Sequence, residues 1–210
     1  MKVLLVKPNN LSDHIQPSLG LAYLAEAIRD RHEVIILDCI KEDIGPNGFA
    51  HRILKDFRPD LVGIQCYTFD LGNVRKLLRV TKDWDPGIVT VVGGAHISSD
   101  PVRAFDNLHK DLDFAFAGEA ETGFPKFIDM LDDPAIESDY ASIPGLVWKN
   151  DKEYVVNPGN MEDDLDRLGD PAWDLIRPDL YPESQHGAFF NKFPIAPIIT
   201  TRGCPYSCTF

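Results

Sequence analysis
Apolar residues return along this chain in two alternating periods. Short branched runs, Val3 to Val6, Val34 to Leu37, Leu61 to Ile64, Ile88 to Val92 and Phe114 to Ala117, are apolar at successive positions, as parallel strands covered on both faces are. Between them apolar residues recur every three or four positions, over Leu19 to Arg31, Phe49 to Phe57, Leu71 to Trp84, Pro101 to Lys110 and Phe124 to Leu131. Leu21, Leu24, Ala25 and Ile28 form the single stripe of a helix laid on a sheet. Such alternation predicts a doubly wound α/β fold with a five-stranded parallel sheet of flavodoxin-like or Rossmann-like order 2-1-3-4-5. Ser99-Asp100-Pro101 offers a cap with Pro in the first helical turn, and Arg58-Pro59-Asp60 stops the second helix before its strand.

After Leu131 the pattern changes. Leu146 to Trp148 and Tyr154 to Val156 flank Asn150-Asp151 as a hairpin would, and an acidic, Pro-rich stretch follows with Trp173, Leu175 and Ile176 as anchors. The run Ile195 to Thr200 has the composition of one more strand. The expected division is an α/β domain over 1–132, an appended hairpin and linker over 133–194, and a first strand with a cysteine loop over 195–210.

Composition narrows the function classes. A formal charge of −12 and a pI near 4.8 leave no basic surface to track phosphates, which excludes nucleic acid and anionic membrane as expected partners. The amino-terminal apolar run meets Lys7-Pro8 too early for a signal sequence, and no stretch is long enough to span a membrane. Four cysteines in 210 residues are too few for a disulfide scaffold, so free thiols and a cytoplasmic address are expected.

In an open parallel sheet a ligand sits at the carboxyl ends of the strands, near the reversal of strand order. The loop after the first strand, residues 7–20, lacks G-x-G-x-x-G, which argues against a dinucleotide site. The third strand leads into Gln65-Cys66-Tyr67-Thr68 without the Asp of a phosphate-accepting receiver. The fourth ends in Gly93-Gly94-Ala95-His96, where paired glycines let a bulky ligand approach the backbone. The fifth ends in Gly118-Glu119-Ala120-Glu121. Plainer roles stand beside these: the glycines as turn geometry, the glutamates as partners of a helix dipole, Cys66 as a core side chain, His14 and His96 as solvated loop residues.

In order, Pro17-Ser18-Leu19-Gly20-Leu21-Ala22-Tyr23-Leu24-Ala25, Pro59-Asp60-Leu61-Val62-Gly63-Ile64, Val92-Gly93-Gly94-Ala95-His96, Gly118-Glu119-Ala120-Glu121, Pro171-Ala172-Trp173-Asp174-Leu175 and Arg202-Gly203-Cys204-Pro205-Tyr206-Ser207-Cys208 resemble the amino-terminal half of the cobalamin-dependent radical S-adenosylmethionine enzymes. The resemblance implies a corrinoid site on the sheet edge made by Pro17, Leu19, Gly20, Gln65, Cys66, Tyr67, Thr68, Gly93, Gly94, His96, Gly118 and Glu119. It implies Cys204 and Cys208 as ligands of a [4Fe-4S] cluster that cleaves S-adenosylmethionine. The third cysteine of the family's C-x-x-x-C-x-x-C is expected just after Phe210, so the rest of the radical barrel is the expected partner. The 210 residues alone are then expected to be catalytically silent, with methyl transfer or oxidative cyclisation of a small molecule as the full-length activity. A flavin- or nucleotide-binding module is the alternative. Asp13-His14 does not keep the D-x-H-x-x-G spacing that puts His on cobalt in many corrinoid domains, since Gly20 stands six residues beyond the His. Cobalamin is therefore expected base-off and His-off, with His14 a minor candidate for axial contact.

Overall fold
The computed structural model describes residues 1–10, 15–133, 135–136, 139–150, 153–183, 192–203, 206 and 208, leaving aside the side chains of His51 and Arg52. Five parallel strands form its centre: β1 (Lys2–Lys7), β2 (Glu33–Asp38), β3 (Leu61–Gln65), β4 (Val89–Gly93) and β5 (Phe114–Phe116). Their order is β2-β1-β3-β4-β5, so the chain reverses direction across the sheet between β1 and β3. The helices α1 (Leu19–Ile28), α2 (Pro46–Phe49), α3 (Lys55–Phe57), α4 (Leu71–Trp84), α5 (Ala95–Ser99), α6 (Pro101–Leu108), α7 (Gly123–Asp132) and α8 (Trp173–Ile176) complete the fold.

Alternation along each strand splits the core in two. Val3, Leu5, Leu61, Val91 and Phe116 pack with α1 and α7 through Leu21, Ala25, Ile28, Phe124, Phe127 and Ile128. Leu4, Val6, Val62, Ile64 and Val92 pack with Phe49, Leu54, Val74, Leu77, Leu78, Ala104 and Phe105 on the other face. Local signals set the helix starts. The Ser18 hydroxyl accepts the Leu21 N–H at 3.5 Å, and Asp100 accepts the Arg103 N–H at 3.3 Å ahead of Pro101.

Three expectations need correction. The hairpin is not an appendage. Its strands β6 (Leu146–Lys149) and β7 (Tyr154–Val156) extend the sheet to seven strands, β6 pairing antiparallel with β5 at Ala115↔Val147 and Phe116↔Leu146. This covers an apolar edge that β5 would otherwise present. The hairpin closes with the Asn150 N–H on the Glu153 carbonyl at 3.1 Å; Asp151 of the expected turn lies outside the described residues. Second, 195–200 carries no strand. Pro194 and Pro197 remove two ladder donors, and the segment passes the sheet's end instead of joining an edge. Third, helix begins directly after β4 as α5, before the expected start at Pro101, so His96 stands on a helical turn.

Candidate functional site
At the β1/β3 reversal a cavity of about 410 Å³ opens between the sheet and the pair α1 and α7. Its floor is one cross-strand row. Leu5 pairs with Gly63 and Gly63 with Val91, so a residue without a side chain sits between two branched ones. A methyl on Gly63 would lie 3.0 Å from Leu5 Cδ2 and 3.9 Å from the Phe124 ring. The missing side chain is what keeps the space open. Leu21, Leu24 and Phe124 wall the cavity, making an apolar slot suited to a flat aromatic group.

The next row, Gln65 paired with Gly93, forms the rim together with Gly20 and Gly118. Gln65 is held by the Ser18 hydroxyl, which donates to its Oε1 at 2.8 Å, and its amide lies 3.4 Å from the Tyr67 hydroxyl. Gly94 has φ 105° and ψ −175°, a region almost restricted to glycine. A Cβ there would stand 2.9 Å from the Cys66 carbonyl oxygen. The backbones of β3 and β4 meet at this point, with the Cys66 N–H on the Gly93 carbonyl at 2.8 Å and the His96 N–H on the Cys66 carbonyl at 3.1 Å. His96 Nδ1 lies 3.1 Å from the Thr68 hydroxyl. Its Nε2 and the Thr122 hydroxyl are buried without a hydrogen-bond partner among the described residues, and buried donors or acceptors in that state await one.

The expected residues thus divide. Gly20, Gln65, Gly93, Gly94, Gly118 and Glu119 line the cavity. Tyr67, Thr68 and His96 form a shelf outside it, where Tyr67 stacks on exposed Phe69 with ring centroids 5.5 Å apart. Pro17, Leu19 and Cys66 are buried: Leu19 packs on Ala22 and Ile176, and Cys66 belongs to the core of the opposite face. Their placement follows from the period of β3 and α1, which turns these side chains inward. Sequence reasoning missed Leu5, Gly63, Leu24, Val91 and Phe124, which carry the slot. The available signal was Gly63, a lone glycine inside the branched run Leu61 to Ile64.

Burial also decides the thiols. Desolvation, aided by the charge of Asp38, pushes Cys39 up to about 12, and desolvation with Asp70 pushes Cys66 up to about 12. At pH 8 only about one such thiol in 10⁴ is ionised. Both are expected to stay unlabelled by a thiol-exchange dye in the native protein at pH 8 and to react once urea unfolds it. Rapid native labelling of Cys66, located by peptide mapping, would contradict its core placement.

His14 and Cys204 lie outside the described residues, while Cys208 is exposed. Among the described residues no three His, Cys, Asp or Glu side chains are grouped to hold a metal, and no helix is long and apolar enough to cross a membrane.

Comparison with known proteins gives the fold a family context. The model of the B12 binding domain matches residues 11–128. An uncharacterized methyltransferase of Pyrococcus horikoshii is 30% identical over all of this chain and 45% of its own length. The anaerobic magnesium-protoporphyrin IX monomethyl ester cyclase of Rubrivivax gelatinosus is 26% identical over the whole chain and 38% of its own. The chain thus spans less than half the length of these curated relatives. Among solved structures, the radical S-adenosylmethionine methyltransferase TsrM of Kitasatospora setae, with cobalamin and a [4Fe-4S] cluster bound, matches with a TM-score of 0.64. That match has 23% identity, over 76% of this chain and 29% of that one.

Proposed function
Because the chain belongs to the B12-binding domain family, we propose that the slot at the β1/β3 reversal holds the nucleotide tail of a base-off, His-off cobalamin. The observation that carries this is the Leu5–Gly63–Val91 row, a gap between two branched side chains that opens a 410 Å³ apolar cavity under a glycine rim. The tail's flat aromatic base enters between α1, α7 and the sheet. Gly93 and Gly94 let the chain of the tail pass close to the backbone, and Gln65, fixed by Ser18, supplies a polar contact at the mouth. The exposed Tyr67–Phe69 stack and His96 form a ledge beside that mouth for the macrocycle. When bound, the corrinoid supplies a cobalt centre able to carry a methyl group or to support radical ring closure.

The protein that works with this domain is, in the same proposal, a cytoplasmic radical S-adenosylmethionine enzyme carrying out methyl transfer or oxidative cyclisation on a small molecule. Cys204 and Cys208 belong to its cluster loop. The family match does not favour the flavin or signalling alternative.

Incubation with hydroxocobalamin or flavin mononucleotide, followed by desalting, tests the cofactor. Corrinoid absorbance is expected to stay with the protein and flavin absorbance to be lost; the opposite result overturns the assignment. After reduction to Co(II), the electron paramagnetic spectrum is expected to lack nitrogen coupling on cobalt, and His14→Ala is expected to leave it unchanged. A nitrogen pattern that disappears in His14→Ala would put histidine on the metal.

A further inference from the structure
We propose that Arg202 is a positioning residue: clasped by Glu119 and Glu121, it seats residues 199–203 as the outer wall of the cavity, and loading of the cavity tightens the clasp. The second clause rests on the cavity being the corrinoid seat.

Arg202 Nη1 lies 2.8 Å from Glu121 Oε1 and 3.3 Å from Glu119 Oε2. Its guanidinium stacks 5.1 Å above the Tyr23 ring of α1. The side chains are 13% exposed for Arg202 and 10% for Glu121, so the pair is largely withdrawn from water. Both partners gain from the arrangement. Two carboxylates side by side repel each other unless a cation lies between them, and a guanidinium this buried needs a counter-charge.

The consequence for the cavity is direct. Ile199, Arg202 and Gly203 line it opposite the sheet, and the clasp joins the loop after β5 to α1 across that side. No sheet pairing holds this segment, since 195–200 carries no strand; the clasp does so. If a ligand and the closed wall touch, each stabilises the other by the same factor.

Limited trypsin digestion of the 210-residue protein reads the clasp, because the Arg202–Gly203 bond is cut only when the segment opens. The bond after exposed Lys192 serves as internal reference. Glu121→Gln is expected to speed cutting at Arg202 by about tenfold, the effect of one partly buried ion pair, with cutting at Lys192 and the urea midpoint unchanged. Glu119→Gln should act in the same direction by less. Hydroxocobalamin is expected to slow the cut at Arg202 severalfold in the parent protein and by the same factor in Glu121→Gln, because the ion pair changes the opening constant and not the ratio of ligand affinities of the closed and open wall, while cutting at Lys192 stays unchanged. Equal cutting at Arg202 in parent and both variants would overturn the clasp, and cutting at Arg202 left unslowed by a corrinoid that the protein retains would overturn its coupling to the cavity. Should neither protein retain corrinoid while Glu121→Gln still opens faster, the clasp stands and the cofactor assignment falls.

Discussion
Gly63→Val is expected to weaken corrinoid retention by at least about 100-fold while the protein stays folded. Gly63 lies mid-strand in β3 with the branched side chains of Leu5 and Val91 on either side, so valine would complete an apolar row and fill the slot. Burying an aromatic base of ~150 Å² at ~25 cal/mol/Å² contributes about 4 kcal/mol, near a thousandfold in affinity. Valine takes most of that space. The stability cost is smaller, because valine suits a strand and the crowding against Leu5, whose Cδ2 lies 3.0 Å from a Cβ built at 63, falls on the mobile end of a side chain; about 1–3 kcal/mol is expected. Gly63→Ala should lose less than about tenfold. Equilibrium dialysis against hydroxocobalamin measures both, with circular dichroism as the check on folding. A folded Gly63→Val protein with parental affinity would move the ligand out of this cavity.

Gly123→Ala is expected to have the largest effect on stability, a loss of about 4 kcal/mol or more. Gly123 is the first residue of α7, and a Cβ there would stand 2.1 Å from the Pro144 carbonyl oxygen and 3.0 Å from the Phe116 ring. The obstruction is backbone, so no rotamer relieves it. Pro144 leads into β6 through Gly145, whose φ is 71° and whose carbonyl accepts the Ala117 N–H at 2.9 Å. Relieving the clash therefore pulls β6 away from β5 or α7 away from the sheet. A urea titration followed by tryptophan fluorescence, which senses Trp148 in β6, should show a lower midpoint and, where β6 detaches first, an early transition. A parental midpoint would mean that the hairpin does not sit against α7 as described.

These two glycines show what was legible and what was not. Gly93 and Gly94 stood out in the sequence because adjacent glycines at a strand tip are a local signal, and the φ of 105° at Gly94 gives the physical cause. Gly118, a single glycine just past the β5 tip, was readable by its position, and its φ of 81° gives the same physical cause. Gly123 gave no such sign, since its constraint is a contact with a carbonyl outside its own helix. Glu119 and Glu121 looked like dipole partners of the following helix; their counter-charge is Arg202, in a distant segment. Cys66 and Leu19 were drawn into the site by their neighbours in sequence, but the two-residue period of a strand and the stripe of a helix turn them into the core.

By itself the sequence determined the five β-α units and the cap at Asp100; the 2-1-3-4-5 order of the parallel strands was expected from the fold class and is the order observed. The units and the cap follow from hydrophobic period and turn chemistry over a dozen or so neighbouring residues. Only the tertiary structure decided that β6 and β7 extend the sheet, that Gly63 falls between Leu5 and Val91, and that Arg202 closes on two glutamates. Those depend on cross-strand register and on contacts between segments far apart in the chain, where the burial of one side chain is set by partners that local pattern does not contain.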